Sequence, residues 1–557
     1  MARWCYLLIA LLLSDATAFS TISNSDNSLT RQINKKSFFT DNVTTLRSLA
    51  PHHKEAFCHN TAQEDQQQHQ QEEEDRIRQI LIGKHKWLGG ALSESGTIYG
   101  IPSHSNYVIC LSPSSNHNDN DNNDDDKSSY QINMLRLPSY ITNNAKRDGG
   151  KHKDHHFKWL RGIISDNNLY GIPAWSKDGV LKVNIDEWSK WREANPSRRI
   201  IDGNDELSNR LVTTIPFPDA NDKEVQQHYR WAWHGAALNN NSTAIYCIPS
   251  NAQHVLKVDL ETSTTCYLSI PPLPQMDTSQ HAKLLAGSNK WYGGILGNDN
   301  CVYGIPYAAG SVLCIDANTD QVSLLGDFGW NKYNFHGGIK SSKGAIYAFP
   351  AHADQVLKID TTGITNGDKK RLSLLPIQRA SYDIDPVTRY KWLGGSIGKD
   401  GNIYGMPSDA SSVLHINVMN DVVTTFGCIE DSDPDRVNAD GSKYIEKNKF
   451  QGGVLGRDGF IYALPSNAKG ILRIDTRPVS DEEGNGVFLD KNRVSCIGSL
   501  EQKTDKWQGG FAVKSGEIIA IPENCNSVLK VLPPSAQDVD KFIVDGLADG
   551  GVVISTL

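Results

Sequence analysis

The chain has 557 residues, of which 38% are apolar and 22% charged, and its formal net charge is −8. This acidic balance lacks the basic footprint of nucleic-acid binding proteins, so we expect no nucleic-acid partner. Beyond the N-terminus, no stretch approaches the roughly 18–20 apolar residues that a membrane-spanning helix needs, so we expect no membrane span.

The first 18 residues have the three parts of a secretory signal peptide. Arg3 supplies a positively charged start, and Leu7–Leu13 is an apolar run that is too short to span a bilayer. Ala16-Thr17-Ala18 is a cleavage site built from small residues. The sequence therefore predicts a protein of the secretory pathway or the extracellular space.

Residues 19–75 are polar and low in complexity. Phe19–Ser48 is rich in Ser, Thr and Asn and carries more basic than acidic residues, as transit peptides do. The junction Ala18-Phe19 also resembles the two-part presequence of algae with complex plastids, which makes the plastid the alternative location. A disordered tail on a secreted protein is the other interpretation. The run Gln66–Glu74 is predicted to be disordered, because it offers little apolar surface to offset the cost of ordering.

A repeated pattern fills residues 76–534. It is clearest in Lys391–Asn417, KWLGGSIGKDGNIYGMPSDASSVLHIN, and it occurs eight times. The copies align on an aromatic residue, which is Trp87, Trp159, Trp233, Trp291, Phe335, Trp392, Phe450 or Trp507. They also align on a proline, which is Pro102, Pro173, Pro249, Pro306, Pro350, Pro407, Pro465 or Pro522. A fixed internal period marks a repeat architecture in which each copy is one supersecondary unit.

Each repeat is predicted to contain four short antiparallel strands. In the copy quoted above, Gly394–Ile397 opens the first strand, Asp400-Gly401 forms a hairpin turn, and Pro407 ends the second strand. A third strand at Val413–Ile416 and a looser fourth strand follow. Eight such units predict an all-β fold, a β-propeller of eight four-stranded blades, with seven blades as the alternative.

Two segments could complete the last blade. Arg76–Ile82 precedes the first repeat much as Arg493–Leu500 precedes the last one, so we expect an N-terminal strand to close the ring. Phe542–Asp545 is the alternative. Residues 535–557 are then a C-terminal strand or tail. Asn116–Asp126 is a polar run within the first repeat and is predicted to be a disordered surface loop.

The strongest candidates for chemistry are residues that depart from the repeat. Arg161 replaces the first glycine of the Gly-Gly pair, and His234 and His336 follow the aligned aromatic residue. If these positions line the mouth of a central channel, the three side chains converge there and can bind an anion or, through the imidazoles, a metal. Ordinary variation at solvated positions is the alternative. Trp175 and His352, in loops after the second strand, can line one face of the propeller.

The eight aligned aromatic residues invite a ligand-stacking interpretation. Their regularity favours packing between blades instead, because a role repeated in every blade is usually structural. Three sequons occur, at Asn42, Asn240 and Asn241. The last two lie on a predicted hairpin turn, which is a surface position suited to glycosylation.

The repeat K-W-x-G-G…I-Y-G-I-P…V-L-x-I-D resembles that of largely uncharacterised propeller-like proteins of algae and other protists. It is more distantly similar to NHL-type and regucalcin-like propellers. The regucalcin-like and lyase-type relatives imply an enzyme with a metal in the channel, held by carboxylate, Asn or His ligands. No such ligand set can be mapped onto this chain residue by residue, and a fold does not imply a function.

The sequence leaves three hypotheses about function, of which the third is a structural role for the propeller in a surface or wall matrix. The first is a monomeric, non-enzymatic binding scaffold that needs no cofactor and presents one propeller face to a protein or glycan partner. It predicts scattered aromatic and polar residues on one rim, with no buried polar cluster in the channel. The alternative is a hydrolase or lyase that uses a divalent metal in the channel. It predicts that Arg161, His234, His336 and a carboxylate lie within reach of one point.

Overall fold

The structure is a computed structural model that describes residues 52–113, 130–142, 157–203, 206–218, 230–329, 332–362, 371–381, 383, 389–429, 446–478, 489–535 and 553–556. The predicted signal peptide, the transit-like segment, Asn42, Asn116–Asp126 and Phe542–Asp545 lie outside these residues. Contacts divide the chain into two compact bodies, Met1–Gln71 and Glu72–Leu557. In the first body the structure describes a helical segment. The second contains all the repeats.

The first two strands of each repeat lie where the sequence predicts them. Every first strand begins at the aligned aromatic residue: β1 Trp87–Leu92, β5 Trp159–Ser165, β10 Trp233–Leu238, β14 Trp291–Leu296, β18 Phe335–Lys340, β22 Trp392–Ile397, β26 Phe450–Leu455 and β30 Trp507–Ala512. Every second strand ends at the aligned proline: β2 Ile98–Pro102, β6 Asn168–Pro173, β11 Ala244–Pro249, β15 Cys301–Pro306, β19 Ile346–Pro350, β23 Ile403–Pro407, β27 Phe460–Pro465 and β31 Ile518–Pro522.

Two further strands complete each sheet. The third strands are β3 Tyr107–Pro113, β7 Val180–Asn184, β12 Val255–Asp259, β16 Val312–Asp316, β20 Gln355–Ile359, β24 Val413–Asn417, β28 Ile471–Asp475 and β32 Leu529–Leu532. The fourth strands are β4 Tyr130–Arg136, β9 Val212–Ile215, β13 Thr264–Leu268, β17 Gln321–Leu325, β21 Leu372–Gln378, β25 Val422–Phe426, β29 Val494–Ile497 and β33 Val553–Thr556. Small antiparallel sheets of this order are the pattern of a β-propeller.

Short elements decorate the repeats. Strand β8 (Ile200–Ile201) pairs in parallel with β4, and β21 pairs in parallel with β25, which joins the fifth and sixth repeats into one eight-stranded sheet. The helices are α1 His52–Leu81, α2 Ser139–Thr142, α3 Ile185–Ala194, α4 Glu206–Leu211 and α5 Thr278–Ala286, and Lys491–Arg493 forms a 3-10 turn. No helix among the described residues is both long and apolar enough to span a bilayer.

The N-terminal strand predicted at Arg76–Ile82 is wrong. Residues 76–81 belong to helix α1, which also contains Gln66–Glu74, so the disorder predicted there is not what the structure has. Gln and Glu are good helix formers, and Ile77 and Leu81 lie four residues apart on one helical face that packs into the core. The fourth strand of the last sheet is instead β33, which pairs antiparallel with β32.

The buried core is divided into clusters that each combine side chains of two successive repeats. One further cluster combines the last repeat with the first, where Ile519 and Ile521 lie with Ile98 and Ile109. Each first strand neighbours the first strand of the next repeat, and β30 neighbours β1. The predicted packing role of the eight aligned aromatic residues is confirmed, because all of them are at most 2% exposed.

Candidate functional site

Two sequence positions form the contact between one repeat and the next. The left-handed position lies two residues before the aligned aromatic residue, and all eight of its residues have φ between +50° and +57°. They are His85, Phe157, Trp231, Asn289, Tyr333, Tyr390, Asn448 and Asp505. The loop position lies two residues after the aligned proline. Its residues are His104, Trp175, Asn251, Ala308, His352, Asp409, Asn467 and Asn524.

At four junctions these two positions are joined by a hydrogen bond. The side-chain oxygen of the loop residue accepts from the backbone N–H of the left-handed residue in the following repeat. The pairs are Asn251–Asn289 at 2.7 Å, Asp409–Asn448 at 2.9 Å, Asn467–Asp505 at 3.0 Å and Asn524–His85 at 2.7 Å. Asn, Asp and His are enriched among the non-glycine residues that adopt the left-handed conformation, so all four of these junctions use residues that suit it.

At the other four junctions the loop position carries no Asn or Asp, and the left-handed residue that follows is aromatic. The pairs are His104–Phe157, Trp175–Trp231, Ala308–Tyr333 and His352–Tyr390. Ring contacts accompany this change, with centroids 4.4 Å apart for His104–Phe157 and 4.6 Å for His352–Tyr390. A bulky residue at positive φ is a conformational outlier. The four aromatic junctions therefore depart together from the polar arrangement.

A first aromatic cluster consists of His85, His104, Phe157, Trp175 and Trp231. Its centre is formed by Phe157, Trp175 and Trp231. The Phe157 ring lies 5.1 Å from Trp175 and 4.9 Å from Trp231. All five side chains are partly exposed. The guanidinium of Arg230 lies 5.1 Å from the centre of the Trp175 ring, within the range of a cation–π interaction.

A second group, the tyrosine cluster, consists of Tyr292, Tyr307, Tyr333, His352 and Tyr390. Tyr292, Tyr307 and Tyr333 stack in sequence, with centroids 4.4 and 4.6 Å apart. Tyr333 and His352 also line a cavity of about 620 Å³. Its other lining residues are Phe328, Lys332, Asn334, Ala353, Asp354 and Arg389. Aromatic walls with a few charged groups are typical of ligand pockets.

The predicted residues His234 and His336 lie between these two clusters. The His234 ring stacks on Tyr292 at 4.0 Å and lies 6.4 Å from both Trp231 and His336. His336 makes an edge contact with Tyr307 at 5.6 Å. The two histidines therefore connect the first aromatic cluster with the tyrosine cluster through an unbroken series of ring contacts.

Arg161 acts on both histidines. Burial is the main reason why the pKa of His336 is lowered to about 3 and that of His234 well below 6.5, and the charge of Arg161 lowers both further. Crowding by protein atoms also lowers the pKa of Arg161, although solvent reaches its side chain. At neutral pH the group therefore consists of one cation and two neutral imidazoles.

The metal-enzyme hypothesis requires a carboxylate beside these three residues. Within the described part of the chain, no group of three or more His, Cys, Asp or Glu side chains has a metal-binding arrangement. The residues present are thus one arginine and two imidazoles, a set that suits an anion better than a cation.

Each predicted site residue now has a place. Trp175 belongs to the first aromatic cluster and His352 to the tyrosine cluster. Arg161, His234 and His336 lie on the first strands β5, β10 and β18. Sequence reasoning missed the left-handed position, including Phe157 and Trp231. Its signal was present, because that column has a Phe, Trp or Tyr in four aligned copies and a His, Asn or Asp in the other four.

Asn240 and Asn241 lie in the turn between β10 and β11, and both side chains are exposed. The backbone N–H of Asn240 donates to Oδ1 of Asn300, a contact that leaves its own side chain at the surface. The prediction of a hairpin turn at these sequons is confirmed.

Comparisons with known proteins find similarity at the level of architecture. No family model and no curated protein matches the sequence. Among solved structures, a streptogramin B lyase is 13% identical over 69% of this chain and 92% of its own, with a TM-score of 0.39. The computationally designed Ika8 protein is 9% identical over 80% and 96%, with a TM-score of 0.42. Kuenenia stuttgartiensis hydrazine synthase is 10% identical over 81% and 96%, with a TM-score of 0.40. None of these similarities bears on what the chain binds.

Proposed function

We propose that this chain is a binding propeller that presents its aromatic junctions to a protein or glycan partner. The observation that carries the proposal is the presence of Phe157, Trp231, Tyr333 and Tyr390 at positive φ. A bulky residue in this conformation costs of order 1–3 kcal/mol and persists only where the surrounding structure over-determines it, and such residues are concentrated at functional sites.

The polar repeats supply the internal comparison. Asn289, Asn448 and Asp505 meet the same backbone requirement with residues that tolerate it. An aromatic residue is therefore not needed for the junction to form. Four of the eight junctions depart in this way, in two pairs separated by the polar junction Asn251–Asn289, and their partly exposed rings fit a recognition surface better than they fit packing.

The composition of this surface suits a partner with flat apolar faces and hydrogen-bonding groups. Tyr, Trp and Arg are the side chains that contribute most to binding energy at interfaces. Here Trp175 and Trp231 lie with Arg230, and Tyr333 and His352 lie with Arg389 around the cavity.

We infer that residues 76–534 form the body of an eight-bladed ring that closes between β30 and β1, with β33 of segment 535–557 completing the last blade. The contacts between the last and first repeats support closure. The same proposal includes secretion through a signal peptide at 1–18, followed by a low-complexity segment at 19–75, with plastid targeting as the alternative location. It also includes glycosylation at Asn240 and Asn241 and a monomeric state.

The test compares wild-type full-length chain with a variant that carries Phe157→Asn, Trp231→Asn, Tyr333→Asn and Tyr390→Asn. Asn is native to this position in the fourth and seventh repeats, so the backbone is expected to be retained. Binding to arrays of glycans and of extracellular protein domains should be lost in the variant. A second variant, Arg230→Ala with Arg389→Ala, changes only exposed side chains and should weaken the same interaction. Unchanged binding by both variants would overturn the proposal.

A further inference from the structure

We propose that Arg161, His234 and His336 together bind a carboxylate group in the solvent-accessible space beside the first strands. This site goes beyond the proposed recognition of a partner by the aromatic junctions. It would exist whether or not that surface has a partner.

The first observation is the backbone of Arg161. The equivalent residue of every repeat has positive φ, and in the other seven repeats it is glycine: Gly89, Gly235, Gly293, Gly337, Gly394, Gly452 and Gly509. Arg161 adopts φ +64° within the irregularity between β5 and β6. The chain thus places its longest cation where seven sister repeats have no side chain, at a conformational cost that glycine avoids.

The second observation is that Arg161 has no acidic partner among the residues that the structure describes. No ion pair or hydrogen bond joins its guanidinium to a described side chain, and its crowded surroundings lower its pKa. By contrast, Arg371 lies 3.6 Å from Asp299 and Arg473 lies 3.3 Å from Asp458. A guanidinium without a counter-charge leaves its donors available for an anion, and charge-assisted hydrogen bonds to a carboxylate are among the strong ones.

The third observation concerns His234, which is 4% exposed. Within the described part of the structure, neither of its ring nitrogens has a hydrogen-bond partner. A buried polar group without a hydrogen-bond partner is destabilising, because it has lost its hydrogen bonds to water and gained none in return. A neutral imidazole has one N–H donor, so His234 can satisfy it with an oxygen of the same anion that Arg161 binds.

The charge of the site selects the class of anion. Because burial keeps both imidazoles neutral near pH 7, the site carries a single positive charge from Arg161. A monoanion balances that charge, whereas a phosphate dianion would leave one negative charge without a partner at the site. A guanidinium also matches the two oxygens of a carboxylate geometrically.

The test measures ligand binding by the full-length chain with sodium acetate, sodium glucuronate, sodium phosphate and neutral glucose at constant ionic strength. Thermal shift reports binding by mass action, and the imidazole nitrogen resonances of His234 and His336 report its location. We expect both carboxylates to raise the melting temperature and to shift both imidazole signals. A response to acetate but not to glucuronate would indicate that the natural ligand is a small free carboxylate. A stronger response to glucuronate would indicate a carboxylate carried by a sugar.

The decisive variant is Arg161→Gly, which installs the residue of the seven sister repeats. It should be at least as stable as the wild type because φ +64° suits glycine. Its affinity for the carboxylate should fall by at least about tenfold, since a hydrogen-bonded charge is lost. The matched control is Asn167→Gly, at φ +59° in the exposed turn of the same strand pair, which should keep the wild-type response.

Either of two results would overturn the inference: no response to any carboxylate, or an equal response in Arg161→Gly and wild type. A phosphate response stronger than both carboxylate responses, measured well above the second pKa of phosphate where the dianion predominates, would overturn the assignment to a monoanion. The four-Asn variant described above separates this site from the proposed function, because it should lose the partner and keep the carboxylate response.

Discussion

Nδ1 of His85 lies 2.7 Å from Oε1 of Glu523, although 438 positions separate the two residues in the chain. The same junction has Nζ of Lys86 donating to the backbone oxygens of Glu523 and Cys525, both at 2.8 Å. Lys158 makes the equivalent contacts to the first repeat, with Ser103 and Ser105. The contact between the last and first repeats therefore uses the lysine that joins successive repeats elsewhere, and adds a carboxyl–imidazole pair.

The Glu523 carboxyl makes stability depend on pH. Burial raises its pKa from 4.5 to about 7, against the opposing effect of the His85 hydrogen bond. Because this pKa is raised in the folded state, the contribution of the Glu523 carboxyl to stability is fully present below 4.5 and is lost as pH rises through about 7. We expect Glu523→Gln to remove this decline, measured as the melting temperatures of both proteins at pH 5 and pH 7.5. The prediction fails if the difference between the two proteins is the same at both values.

The buried lysines act in a higher pH range and with the opposite sign. Nζ of Lys290 donates to the backbone oxygens of Ser250 and Gly287, and burial lowers its pKa from 10.5 to about 7. A lowered pKa means that its contribution to stability is fully present above 10.5 and is lost as pH falls through 7. The free energy of unfolding of wild type relative to Lys290→Met should therefore increase from pH 7 to pH 9.5, measured by urea unfolding.

The fold tolerates loss of this lysine, since Ala232 and Asn334 occupy the same position in the third and fifth repeats. Lys290→Met should therefore remain folded. A constant difference between the two proteins across the pH range would show that the amine stays charged when buried.

The strands were predictable because their signals are local. An aromatic residue followed by glycines, an X-Gly turn and a terminal proline recur at fixed spacing. The starts of the eight first strands and the ends of the eight second strands therefore follow from one aligned repeat. Segment 76–82 could not be assigned in this way. Its apolar residues fit either period, and its helical state depends on the preceding Gln- and Glu-rich residues and on a core formed with the last repeat.

The candidate site was predictable only in part. Arg161, His234 and His336 stand out because each breaks a column of the repeat. The aromatic junctions involve two columns that lie in different repeats, so the pairing of Trp175 with Trp231 is visible only once the fold brings them together. The positive φ at the left-handed position is a property of the backbone, and it cannot be read from one sequence.

The polar junctions should contribute more to stability than their exposure suggests. Asn467 accepts from the N–H of Asp505 at 3.0 Å and donates from Nδ2 to the backbone oxygen of Lys447 at 2.8 Å. Asn467→Ala removes both hydrogen bonds and should lower the free energy of unfolding by about 1–3 kcal/mol. Asn467→Asp keeps the acceptor, as Asp409 does in the sixth repeat, and should cost less. Equal losses for the two variants in urea unfolding would contradict this account.

The energetic premise of the proposed function can be tested by reversing the natural substitution. Asn448 has φ +52° and lies at a polar junction without an aromatic neighbour at the loop position. Asn448→Tyr should lower the free energy of unfolding by about 1–3 kcal/mol, because the ring has no cluster to join and the backbone remains left-handed. Asn448→Gly is the control and should change stability by less than about 1 kcal/mol, since glycine accepts this conformation freely. If Asn448→Tyr proved as stable as wild type, an aromatic residue at this position would carry no cost, and Phe157, Trp231, Tyr333 and Tyr390 would need no function to explain them.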